Sequence, residues 1–239
     1  SMFAIGVDEM SWDDLDESNY QWPNVSEVKA YRQKLKQVIN ELIETAPLAL
    51  PIDWDHPWWT IMMGIEHEQI HIETSSVLIR QQALELVQTQ SLWQAWQETS
   101  NAPYNELITI PSGKVALGKS NDDVYGWDNE YGLHQADVSE FKASKFLVSN
   151  QEFLAFVEAK GYQHKHYWHE EGLQWLNFSQ AEYPSFWVKT KDEWQLRLMT
   201  EVIAMPWDWP VEVNYHEAKA FCNWKARQTG QLIRLPTED

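Results

Sequence analysis

The stretch Glu66-His67-Glu68-Gln69-Ile70-His71-Ile72-Glu73 lies in the middle of a run, from about residue 55 to 82, that reads as one helix. Pro57 suits a first helical turn, Asp55 suits a cap, and no further proline interrupts the run. At about 100° per residue, His67 and His71 stand about 40° apart and one turn apart in height, so both imidazoles can reach one metal ion. Glu73 lies about 160° around the helix from His71, which gives it a supporting role and not a ligand's place. His56 is about 16 Å from His67 along the same helix and cannot join the pair. By itself the pair also suits two helix histidines satisfied by hydrogen bonds. It supplies two ligands, where a metal that does chemistry usually has three.

Working outward, Asn24 followed by Glu27 is a helix start, and Val25, Val28, Tyr31, Leu35, Val38 and Leu42 recur at helical spacing to about Thr45. Pro47 and Pro51 separate this helix from the histidine-bearing one. Together they look like half of an antiparallel bundle, because each carries an apolar stripe that needs further partners. After about Thr99 the character changes to short apolar runs at 107–111 and 115–117, Gly113, Gly118 and a loop at 125–132. Two helical patterns interrupt this second region, at about 149–160 and 215–228. The expected fold is α+β in two domains, 1–100 and 101–239.

Composition narrows the partners. The 239 residues carry 36 acidic and 18 basic side chains, a formal net charge of -18, with no Lys/Arg cluster of the kind that binds phosphates. Nucleic acid and anionic membrane surfaces are therefore not expected as partners. No window approaches the roughly 20 apolar residues of a membrane span, and the first residues lack the pattern of a signal peptide, so a cytoplasmic location is expected. Cys222 is the one cysteine, which leaves His and carboxylates to build any metal site. Within its helical pattern it reads as a small buried apolar residue. The acidic stretch 1–23 and the cluster His164-Lys165-His166-Tyr167-Trp168-His169 read as solvated segments, and the 15 tryptophans as packing residues.

These residues resemble a known family. His67-x-x-x-His71-x-Glu73, followed by Thr74-Ser-Ser-Val-Leu-Ile-Arg80-Gln81, is similar to the metal-binding helix of the DinB-like domain in sulfoxide synthases of thiol-histidine biosynthesis. The runs Ile110-Pro-Ser-Gly-Lys-Val-Ala-Leu-Gly118, Phe146-Leu-Val-Ser-Asn-Gln-Glu-Phe153, Pro210 to Trp224 and Arg234-Leu-Pro-Thr-Glu238 resemble the formylglycine-generating-enzyme-type domain joined to it, of C-type-lectin-like fold. Enzymes of the ergothioneine branch typically have Gln before the second His. Ile70 stands there in this chain, and residues 2–15 and 74–81 look like the ovothiol branch, the 5-histidylcysteine sulfoxide synthases.

The resemblance implies a mononuclear non-haem Fe(II) held by three His, two of them His67 and His71. It implies L-cysteine, L-histidine and O2 as substrates and an oxidative C–S bond formation that gives 5-histidylcysteine sulfoxide. Asn19 and Trp22 sit near where the family binds its thiol substrate. The family's first iron ligand lies upstream of the matching region and its catalytic Tyr downstream, so no catalytic residue is carried over. The chain reads as an internal piece, a partial bundle followed by a partial lectin-like domain, expected to bind iron weakly and not to turn over alone. The rival readings are an ergothioneine-type sulfoxide synthase, a zinc-dependent DinB-like thiol transferase, and a non-catalytic small-ligand module with structural histidines. Metal and oxygen dependence separate them.

Overall fold

A computed structural model of the chain describes residues 23–92, 94–96, 98–121 and 125–239, so Asn19 and Trp22 lie outside the described residues. Helix α1 spans Val25–Thr45 and opens on a reciprocal cap: Asn24 Oδ1 accepts from the Glu27 N–H at 3.0 Å, and Glu27 Oε2 accepts from the Asn24 N–H at 2.8 Å. Helix α2 spans Pro57–Gln81. Its start differs from expectation in one respect. The imidazole of His56, and not the Asp55 carboxylate, accepts from the Trp58 N–H at 3.1 Å, because His56 directly precedes Pro57. No residue of either helix is buried, and Val25, Tyr31, Val38, Ile65, Ile72 and Leu78 are each more than half exposed.

The chain divides into two compact units, and the division falls inside α2, between Glu66 and His67. The described part of the first unit is 23–66 with Tyr125; the second is 67–121 with 126–239. The second unit mixes helix and sheet. Strands β1 (Leu107–Ile110) and β4 (Phe141–Ser144) pair antiparallel, as do β2 (Gly113–Leu117) and β3 (His134–Val138). A three-stranded antiparallel sheet follows in the order β5 (Trp187–Lys189), β6 (Trp194–Arg197), β7 (Val202–Ala204). Helices α3 (Asn150–Glu158), α4 (Glu170–Ser179) and α5 (Tyr215–Thr229) complete it.

An aromatic core joins these elements. Phe153 and Phe156 of α3 meet Phe221 of α5 at 5.3 and 6.1 Å between ring centroids, and Phe156 lies 5.8 Å from Trp224. Trp187 of β5 closes on Phe153 from the sheet side. Offset and edge-to-face contacts of this kind add to the burial of the rings themselves. Buried Asn150 donates to the Pro206 carbonyl at 2.9 Å, which fixes the 205–211 loop against the start of α3. The preceding segment is stapled to the same loop: Thr99 Oγ1, Ser100 Oγ and the Ser100 N–H all donate to the Asp208 carboxylate. These bonds, that of Thr99 first, hold the Asp208 carboxyl below its usual range.

The cluster at 164–169 is not a wholly solvated loop. It contains a short 3-10 turn at Lys165–Tyr167, and Tyr167 and Trp168 are buried. Trp168 Nε1 donates to the Gly161 carbonyl at 3.0 Å, while His164 and His166 remain exposed. Helix α4 follows at once.

Two positions test this packing. Gly118 has φ +81°, and a Cβ there would stand 2.3 Å from the Gly132 carbonyl oxygen. Gly118→Ala combines a left-handed backbone with a steric overlap, and urea unfolding should show a loss of more than about 1 kcal/mol. Glu217 is 2 % exposed, yet it caps α5 by accepting from the Asn214 N–H and also accepts from the Tyr162 hydroxyl. Burial pushes its carboxyl above the ordinary range, against the pull of those hydrogen bonds. A raised carboxyl holds its proton longer in the fold than in the unfolded chain, so it costs the fold increasing stability as pH rises from the unfolded value, about 4.3, through the folded one. Glu217→Gln keeps an acceptor for Tyr162 and removes that dependence. The Tm difference, variant minus parent, is expected to grow from pH 4 to pH 7; a difference independent of pH would refute it.

Candidate functional site

Helix α2 is continuous through His67 and His71, and the ring centroids stand 4.4 Å apart at an interplanar angle of 82°. Both side chains are exposed, as is Glu73. The two imidazoles are thus brought together by the helix alone. Among the described residues no third His, Cys, Asp or Glu completes a ligand set with them. Two imidazole nitrogens suit iron, zinc or copper, so the donor set fits a transition-metal ion as part of its shell.

The C-terminal end of the same helix is anchored by a residue that sequence reasoning quoted but gave no role, Arg80. Its guanidinium donates from Nε to the Arg197 carbonyl at 2.6 Å and from Nη1 to both oxygens of Glu212 at 2.7 Å. It also stacks 3.8 Å over the Phe186 ring. Arg197 returns a bond to the Gln82 carbonyl at 3.2 Å. Arg80 follows His71 by about two and a half turns, which places it about 180° away around the helix. The face that seats α2 at the end of the β5–β6 strand pair is therefore opposite the face that carries the histidines. Glu73 shares the Arg80 side of the helix, to within about 20°. A groove of about 530 Å³ runs along this seat, lined by Val77, Arg80, Phe186, Val188 and Arg197 among others. No motif spacing signals the Arg80 contacts, whose partners lie 117 and 132 residues away in the chain.

Cys222 is buried, and burial raises its thiol above the ordinary range, the opposite of what a nucleophilic cysteine needs.

With the mixed-sheet domain and the α2 pair described, comparison with known proteins places the chain. Residues 94–239 match the sulfatase-modifying factor enzyme 1-like domain, and the chain belongs to that family. Hercynine oxygenase of Mycolicibacterium smegmatis is 26 % identical over 220 residues, covering 89 % of this chain and 46 % of that protein. Hercynine oxygenase of Mycobacterium tuberculosis is 31 % identical over 198 residues, 80 % of this chain and 42 % of the relative. Ergothioneine biosynthesis protein 1 of Neurospora crassa is 25 % identical over 153 residues, 59 % and 17 % of the two chains. The chain thus spans less than half the length of these relatives. Its kinship is with proteins named as hercynine oxygenases and as an ergothioneine biosynthesis protein. No helix among the described residues is long and apolar enough to cross a membrane.

Proposed function

We propose that this chain is part of an iron(II)- and O2-dependent sulfoxide synthase that joins the sulfur of cysteine to the imidazole ring of histidine. The observation that carries the reading is the facing pair His67 and His71 on α2, in a chain whose relatives include hercynine oxygenases. In this reading the helical part, 1–100, is DinB-like and the remainder is the sulfatase-modifying-factor-type domain. His67 and His71 hold Fe(II) through one ring nitrogen each, and a third ligand comes from outside the described residues. When bound, iron supplies the activation of O2 and the redox chemistry that C–S bond formation requires.

The residues of this chain do the positioning. Arg80 seats the helix at the end of the β5–β6 strand pair and so fixes where the histidine face points. Glu73 lies off that face and supports the helix. Asn19 and Trp22 are proposed to line the thiol site. The exposed apolar side chains of α1, among them Tyr31, Leu35 and Val38, are the stripe that further bundle helices would cover.

The acceptor is taken to be unmodified histidine, as in ovothiol formation, because Ile70 precedes His71 where the ergothioneine branch typically has Gln. The named relatives favour a second reading, with hercynine as acceptor. Oxygen uptake by the natural full-length protein loaded with Fe(II) tests both. Uptake requiring cysteine and histidine together supports the first reading, uptake requiring hercynine supports the second, and no uptake with either removes the synthase assignment.

A further inference from the structure

Away from α2, His169 and Glu171 at the start of α4 converge with His216 at the start of α5. One ligand atom from each residue lies within 4.8 Å of the other two, and this is the one such trio among the described residues. The His169 and His216 rings are 5.2 Å apart, and His169 Nε2 is 3.5 Å from Glu171 Oε2. Both ring nitrogens of His169 and Nδ1 of His216 are closed off from solvent, yet none has a hydrogen-bond partner. Buried imidazole nitrogens are ordinarily hydrogen-bonded, so three without such a bond at one spot, one of them with only the Glu171 carboxylate at 3.5 Å, require an explanation. His169 occupies the N-cap position of α4 without capping it, so its ring is not consumed by the helix end.

The surroundings hold the rings in place. Trp175 stacks 6.2 Å from His216, and Tyr215 meets the His169 ring edge-on at 6.0 Å. Gly172 makes room, since a Cβ there would stand 3.2 Å from His169 Nδ1. Two helix starts point positive ends toward this place, which disfavours a cation, and the carboxylates of Glu170 and Glu171 in the first turn of α4 counter that field. Imidazole nitrogens that lack hydrogen bonds and converge with a carboxylate are donors of the kind a transition-metal ion takes.

We propose that His169, Glu171 and His216 form a second metal site, which binds a divalent transition-metal ion of the zinc type through two imidazoles and one carboxylate and leaves a fourth position open. Two imidazoles with one carboxylate form a ligand set that such ions accept, at about 2.0–2.2 Å from each donor. An ion held there would tie α4 to α5 beside the aromatic core.

The test uses the chain with His67 and His71 both replaced by alanine, so that failure of the α2 assignment does not affect the result. Titration with Co(II), a visible-absorbing stand-in for Zn(II), is expected to give one equivalent bound with the absorption of an imidazole-ligated site, displaced by Zn(II). Adding His216→Ala should remove the spectrum. Adding Glu171→Gln, a change at an exposed position that leaves the fold intact, should weaken binding by at least about 10-fold. Zn(II) should raise the Tm of the His67→Ala/His71→Ala chain and leave that of the His216→Ala version unmoved. The proposal is overturned if the chain lacking the α2 histidines binds no Co(II), or if affinity and spectrum survive both His216→Ala and Glu171→Gln.

Discussion

Alanine at either His67 or His71 is expected to abolish stoichiometric Fe(II) binding by the natural full-length protein, while His164→Ala leaves it intact. The two imidazoles stand one helical turn apart with centroids at 4.4 Å, and each would provide one of three protein ligands. Losing one leaves a two-ligand site, a larger change than loss of a supporting partner, which alone typically costs about 10- to 100-fold in affinity. His164 is exposed and belongs to no metal-competent trio among the described residues. Anaerobic Fe(II) titration with metal analysis decides the matter. Stoichiometric iron in the His71→Ala protein would sink the assignment of α2 as the metal helix.

Phe156→Ala is expected to cost about 3–5 kcal/mol of stability. Phe156 is fully buried and contacts Phe153, Tyr162, Tyr167, Phe221 and Trp224, side chains from α3, α5 and the connection between α3 and α4. Truncation removes the transfer free energy of a ring and leaves a cavity whose aromatic walls are held by one another, so little of it can collapse. Leu78→Ala provides the comparison, because Leu78 is 61 % exposed and should change stability by less than about 0.5 kcal/mol. Urea unfolding followed by tryptophan fluorescence measures both, with buried Trp168, Trp187 and Trp224 as reporters. A Phe156→Ala loss below about 1 kcal/mol would mean that this cluster is not the core of the second unit.

The helices were the legible part of the fold. Asn24 with Glu27, Pro57 and Ser149 mark starts that lie within a residue or two of those in the structure, because caps and first-turn prolines act on neighbouring backbone. The pattern near 215–228 corresponds to α5 for the same reason, with Asn214 and Glu217 forming its capping box. Helix α4 carries no clear periodic signal in the sequence. Gly172 interrupts its period, and its apolar residues Leu173, Trp175 and Leu176 are only partly buried. Strands β5, β6 and β7 are three or four residues long, too short for alternation to show, and they exist because they pair with one another.

What the amino-acid sequence determined unaided is whatever one helix can arrange: the pairing of His67 with His71, the placing of Glu73 off their face, and the apolar stripe of α1. Each follows from a fixed rotation per residue. Only the tertiary structure decided what depends on chain segments meeting from afar. Arg80 finds Arg197 and Glu212 across more than a hundred residues, and Tyr167 and Trp168 leave a polar stretch to enter the core. His169 and His216 turn toward one another because α4 packs against α5. Such contacts depend on burial and shape complementarity summed over many side chains, and no local spacing encodes them.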